Sequence, residues 1–239
     1  MAKINQAHYD YIERPKTCAS DDFWDQVRRT VNGKPLSQEQ LDLIFLMIRQ
    51  ALNFQQDDIL LDLCCGNGRL GFEFFDEVRE YLGADFSPSL IEIARENFER
   101  PPSHTFLLQE AQEYCREESS PERFTKLLCF GSFAYFSEAY AFEVLSLLRR
   151  RFTNLKRLFI GSIPDEDNAN VFFNGREALP TSDHTSAIGR WYTRSGFTKL
   201  AESCGWKVFI SEMPPAFYQA HYRFNSMLVP TGRYEKAIY

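Results

Sequence analysis

Residues 60–72 read LLDLCCGNGRLGF: an apolar run broken by Asp62, then glycines at 66, 68 and 71. The glycines spell G-x-G-x-x-G, the spacing of a turn that cradles the pyrophosphate of a dinucleotide. The apolar run predicts a buried strand that ends where the glycines begin. A carboxylate inside that strand is a poor neighbour for a pyrophosphate, which seeks the positive end of the following helix. The fold and the chemistry both depend on whether this loop serves an anionic ligand or a cationic one.

Outward from the loop, strands alternate with helices. Strand ILLDLC opens through the glycines onto a helix expected over about residues 70–79, and a second strand, YLGAD, follows. Ser87-Pro88 then supplies a cap and a first-turn proline for a helix whose Leu90, Ile91, Ala94 and Phe98 share one side. Next come strands HTFLLQ and FTKLLCF, a helix through EVLSLLRR and a strand LKRLFIGSI. This alternation predicts a parallel, doubly wound α/β sheet. The ending differs, since WKVFISEM and YRFNSMLV have no helix between them, so they are expected to pair antiparallel. Ser37 and Gln40 form a capping-box pattern ahead of a helix carrying Leu41, Ile44, Phe45, Ile48 and Leu52. Residues 1–35 read as an appended helical cap or lid on a domain of residues 36–239. The aperiodic stretch of about 165–190 reads as an insertion or lid over a site.

Composition narrows the function. The 239 residues carry 27 Lys and Arg against 33 Asp and Glu, a net charge of −6, which argues against tracking phosphate backbones. Arg149, Arg150 and Arg151 fall at the expected C-terminal end of a helix, where cations suit the macrodipole. The longest greasy segment, residues 41–52, is too short to span a bilayer, and the first residues lack a signal peptide's apolar core. The six cysteines show no paired C-x-x-C spacing and the four histidines are scattered, so reduced thiols, no metal site and a cytoplasmic location are expected.

An acidic residue about twenty positions after the first glycine, here Asp85, holds ribose hydroxyls in more than one cofactor-binding family, so it does not decide the ligand. Asp62, the Ser87-Pro88 pair after Asp85-Phe86 and the terminal antiparallel strands do. With them, residues of about 37–230 resemble a class I S-adenosylmethionine-dependent methyltransferase. DLCCGNG is similar to that family's D-x-G-x-G-x-G motif, and GADFSPSLIEIARENF to its second strand and helix. The resemblance implies a Rossmann-like sheet of about seven strands ending in an antiparallel hairpin. It also implies S-adenosyl-L-methionine as cofactor. Asp62 then faces the methionine amino group, and Cys64, Cys65, Gly66, Asn67 and Gly68 wrap the methionine portion. Asp85 takes the ribose, Phe86 packs on adenine, Glu110-Ala111 lie at the adenine edge, and Cys129, Phe130 and Gly131 close the pocket. Gly71 is read as merely a small residue in the helix. Two positions depart from the pattern: Cys64 replaces the first glycine, and Thr125 or Lys126 stands where an Asp commonly opens the fourth strand.

On the acceptor side, Phe133, Tyr135 and Phe136 after the fourth strand are candidates for the wall. Asp183, His184 and Tyr192 are candidates from the insertion, and His8, Tyr9, Tyr11 and Trp24 from the N-terminal segment. Because a free imidazole titrates near neutrality, a histidine suits general-base work, so His184 is the candidate general base and Tyr135 the weaker catalytic candidate. The expected activity is methylation of a small molecule at oxygen or nitrogen. Protein methylation, a non-catalytic cofactor-binding module and a nicotinamide-dependent oxidoreductase are the alternatives. The exposed N-terminal segment serves a lid or a homodimer interface equally well.

Overall fold

The computed structural model describes residues 6–174 and 180–232, with only the backbone of residues 6–9. Its centre is a seven-stranded sheet: β1 (Ile59–Leu63), β2 (Glu80–Asp85), β3 (His104–Leu108), β4 (Lys126–Phe130), β5 (Arg157–Pro164), β6 (Trp206–Glu212) and β7 (Arg223–Pro230). The spatial order is β3-β2-β1-β4-β5-β7-β6; the first five strands run parallel, and β7 lies antiparallel to both β5 and β6. The helix-free connection between β6 and β7 forces this reversal, since a parallel neighbour needs a crossover.

Successive residues of β1 point to opposite layers, and both are greasy. Leu61 and Leu63 pack with the helices α6 (Ala111–Glu117), α7 (Glu138–Arg151) and α9 (Arg194–Ser203). Leu60 packs with α3 (Gln38–Leu52), the short α4 (Arg69–Phe72) and α5 (Pro88–Phe98). Burial on both faces is why the parallel strands read as nearly continuous apolar runs. Between the N-terminal helices α1 (Gln6–Glu13) and α2 (Phe23–Gln26) and the sheet lies a two-residue ribbon, Thr30–Val31 with Lys34–Pro35. α8 (Ala169–Phe173) follows β5, within the aperiodic stretch; residues 175–179 of that stretch lie outside the described residues.

Three local expectations are corrected. The helix after the glycine loop is only Arg69–Phe72, with a 3-10 turn at Phe75–Glu77. The chain leaves helical geometry at Phe74 (φ −109°, ψ 3°), and both Phe74 and Phe75 are buried there. Ser37 caps α3 without a side-chain hydrogen bond to the helix. Its intended partner Gln40 is drawn across to the loop between β6 and β7, donating to the Ala216 carbonyl (2.9 Å) and accepting from the Tyr218 amide (2.8 Å). Cys64 lies just past β1, half-buried, rather than in the strand.

The absence of an acid at the start of β4 also has a cause. Lys126 is buried there and donates to the carbonyls of Leu52 (2.7 Å) and Asn53 (3.3 Å), while pairing with Asp58 at 3.5 Å. It satisfies the last carbonyls of α3, which a carboxylate cannot do. Arg149 and Arg151 likewise spend their guanidinium groups on carbonyls of Gly205, Thr231, Cys115 and Glu118. Among the described residues no helix is long and apolar enough to cross a membrane.

Candidate active site

The C-terminal ends of β1, β2, β4 and β5 open on one cavity of about 430 Å³, within the range of small-molecule sites. Its floor is the glycine loop. Cys64, Gly66 and Gly68 all take positive φ (62°, 61° and 76°), a left-handed path that turns the chain sharply after β1. Glycine adopts this freely, whereas Cys64 bears a steric penalty of roughly 1–2 kcal/mol. The hydrogen bond to Cys129, then burial, push the Cys64 thiol up and keep it protonated.

Asp85 ends β2 beneath this turn. Its Oδ2 accepts from the Gly66 amide and its Oδ1 from the Ser87 amide, both at 2.9 Å. Burial raises its pKa, opposed by amide hydrogen bonds from Ser87, Gly66 and Phe86. With three of about four lone-pair sites taken by amides, one remains for a ligand hydroxyl. A loop amide committed to a carboxylate is not available to a pyrophosphate, and the helix it opens onto is a single turn.

Asp62, in β1, does not line the cavity; it is buried, with its Oδ2 accepting from the Tyr81 hydroxyl at 2.9 Å. Burial pushes its pKa up to about 7, against the pull of the Tyr81 hydrogen bond and the Arg29 guanidinium. Tyr81 is accommodated by Gly71, where a Cβ would sit 2.2 Å from its hydroxyl oxygen. Gly71 is therefore required by close packing, which corrects its reading as merely a small helical residue.

Of the residues singled out in the sequence, Cys64, Cys65, Gly66, Asn67, Asp85, Phe86, Glu110, Ala111, Phe130 and Gly131 line the cavity. Gly68 does not; its missing Cβ makes room for the Phe106 ring. Tyr135, Phe136 and His184 also line it, and the Tyr135 hydroxyl donates to the Ala187 carbonyl at 3.0 Å. Phe133 and Tyr192 do not. Both are buried with Phe197 in the core below α9, and the carbon-rich sequence around them carried no sign of which ring faces inward. Asp183 does not line the cavity either; it orders its own loop by accepting from Thr185 at the amide (2.9 Å) and the hydroxyl (2.6 Å). The side chains of His8 and Tyr9 lie outside the described residues.

The N-terminal segment reaches the cavity through Tyr11, Trp24, Val27, Arg28 and Arg29. Ser87 donates to the Tyr11 carbonyl at 2.8 Å, and Asn67 donates to the Phe23 carbonyl (2.7 Å) and to Gln26 (2.8 Å). Arg29 stacks over Phe130 at 5.2 Å and Trp24 at 5.8 Å, and its buried Nη1 has no hydrogen-bond partner. Reasoning from sequence missed Arg29, and also the opposite wall: Ser162, Phe217, Tyr218, Gln219, Tyr222 and Arg223. The aromatic density of AFYQAHYRF, unusual for a hairpin loop, was the available signal.

Comparison with known proteins agrees with this geometry. Residues 60–153 match the family model described as a methyltransferase domain. Two curated relatives named uncharacterized RNA methyltransferases, from Streptococcus pneumoniae and Lactococcus lactis, are 35% and 37% identical over 65 residues. Those matches cover 27% of this chain and 14% and 13% of the relatives, so the chain spans about one seventh of their length. Among solved structures, the magnesium protoporphyrin IX methyltransferase of Synechocystis with bound S-adenosylhomocysteine aligns with TM-score 0.60 at 16% identity. That alignment covers 95% of this chain and 96% of that one. A TehB-like S-adenosylmethionine-dependent methyltransferase from Corynebacterium glutamicum aligns with TM-score 0.56 at 18% identity, covering 88% and 97%. The sheet order and the glycine loop agree with these comparisons: residues 60–153 match a methyltransferase domain, and the chain shares the fold of S-adenosylmethionine-dependent methyltransferases.

Proposed function

We propose that this chain transfers a methyl group from S-adenosylmethionine to an oxygen or nitrogen of a small molecule. The observation that carries the cofactor half is the pairing of charges around the loop. Asp85 under the turn and Asp62 buried in β1 make this end of the cavity suited to a cation and hostile to a pyrophosphate. The residues fit a bound methionine zwitterion: Asp62 faces an ammonium, directly or through water, and the unpartnered Arg29 Nη1 faces a carboxylate. Asp85 holds a ribose hydroxyl, with Phe86, Glu110 and Ala111 around adenine.

When bound, the cofactor supplies an electrophilic methyl on a sulfonium. An acceptor lone pair would take that methyl, and sulfur would keep the electron pair of the broken carbon–sulfur bond. The chain's part is alignment and exclusion of water, worth on the order of 7–11 kcal/mol in well-oriented reactions. His184, on the cavity wall, takes the proton that a hydroxyl or amine acceptor gives up. The N-terminal segment, through Tyr11, Trp24 and Arg29, and the later stretch, through His184, Ala187 and Ile188, wall the cavity and act as its lids.

A small acceptor is supported by the enclosed cavity and by the acidic net charge of −6. The relatives named RNA methyltransferases favour a second reading, transfer to RNA. Incubating the protein with methyl-labelled cofactor and either total RNA or a macromolecule-free metabolite extract separates the two. Label in the low-molecular-weight fraction is expected; label confined to RNA contradicts the small-molecule reading.

A further inference from the structure

The acceptor half of the cavity is built around a cation that the transfer chemistry does not use. Arg223 opens β7 and is 92% buried, with 8% of its surface exposed, yet it lines the cavity. Among the described residues it has no carboxylate within ion-pair distance. Its Nη1 donates to the Ser162 carbonyl at 2.6 Å and approaches the Ser162 hydroxyl at 3.4 Å, while its buried Nε has no hydrogen-bond partner. A buried guanidinium without a counter-charge is costly, and such groups are ordinarily paired.

The surroundings hold this cation in place. Ser162 sits at a register break between β5 and β7 and takes a φ of 63°, a strained conformation for a non-glycine residue. Its amide donates to Asn225 Oδ1 at 2.9 Å, its hydroxyl is 3.4 Å from Gln219 Oε1, and the Arg223 guanidinium lies 5.2 Å from the Tyr222 ring centroid. Strand bulges commonly re-aim a side chain beside an active site. Here the bulge points the Ser162 carbonyl at Nη1 and leaves Nε unengaged.

We infer that Arg223 binds a carboxylate of the acceptor. The inference rests on the methyltransferase reading and adds the acceptor's chemical class. A single guanidinium with one side engaged by a carbonyl offers one planar edge, which matches the two oxygens of a carboxylate. Tyr218 and Tyr222 supply flat aromatic walls beside it.

The test uses the full chain saturated with S-adenosylhomocysteine, probed by ligand-observed NMR with benzoate, benzamide and phenyl phosphate. Benzoate is expected to bind at least about tenfold more tightly than benzamide or phenyl phosphate. Arg223→Gln is expected to erase that preference, Arg223→Lys to retain part of it, and both to keep S-adenosylhomocysteine affinity, which shows that the fold persists. Equal binding of benzoate and benzamide, a preference for phenyl phosphate, or a preference unchanged in Arg223→Gln overturns the inference. Failure of S-adenosylhomocysteine to bind the unaltered protein instead overturns the underlying methyltransferase reading.

Discussion

At the scale of single residues, Asp62 and Gly71 form one unit through Tyr81. A Cβ at residue 71 would displace the Tyr81 hydroxyl and with it the hydrogen bond to Asp62. Gly71→Ala is therefore expected to destabilise the protein by about 1–3 kcal/mol, the usual range for overpacking, measured by urea unfolding. Asp62 itself carries a pH signature. Its folded-state pKa of about 7 lies above an aspartate's ordinary 3.8, so between these values the folded state holds more protons than the unfolded state. By linkage its contribution to stability is full below about pH 4, declines as pH rises and is lost above about 7. Asp62→Asn is expected to flatten that decline in ligand-free unfolding curves; an unchanged pH profile contradicts the assignment. The motif revealed that an acid belongs at residue 62. Its hydroxyl partner comes from the neighbouring strand, a contact that spacing along the chain does not encode.

At the scale of elements, the strands and the antiparallel ending were legible because period and connection length determine them. The alternation from Asp58 to Pro164 requires crossovers, and the helix-free link from β6 to β7 requires reversal. What stayed hidden were places where a long-range contact overrides a local pattern. Gln40 has the spacing of a capping box but is used 176 residues away, at Ala216. Lys126 breaks the family pattern because the end of α3 lies against it. The loop of residues 213–222 looked like a connection, yet Phe217, Tyr218, Gln219 and Tyr222 form a cavity wall, and Gln40 ties that wall down. Gln40→Ala removes two hydrogen bonds, each worth about 0.5–1.5 kcal/mol. The expected result is faster proteolysis of this loop and a raised KM for the acceptor, with S-adenosylhomocysteine affinity unchanged. A loss of affinity for the sulfur nucleotide instead would show that the loop belongs to the cofactor half.

Across the whole molecule, a net charge of −6 goes with a cavity lined by both signs, Asp85 and Glu110 as well as Arg28, Arg29 and Arg223. Arg29 and Arg223 present buried, under-partnered guanidinium groups inside it. Composition showed the first and argues against extended phosphate tracking; only the fold shows the second, because residues 29 and 223 come from opposite ends of the chain. The same cavity joins the N-terminal segment, the glycine loop and the terminal hairpin, so cofactor and acceptor meet where three distant parts of the sequence converge. The central claim is that the glycine loop holds S-adenosylmethionine rather than a dinucleotide. It is tested most directly by calorimetric titration of the protein with S-adenosylmethionine, S-adenosylhomocysteine and NAD, alongside Asp85→Ala. The account predicts binding of both sulfur nucleotides, none of NAD, and an affinity lowered by roughly tenfold or more in Asp85→Ala, where the charge-assisted hydrogen bond to the ribose is lost. Binding of NAD without either sulfur nucleotide, or affinity for them untouched by Asp85→Ala, would contradict it.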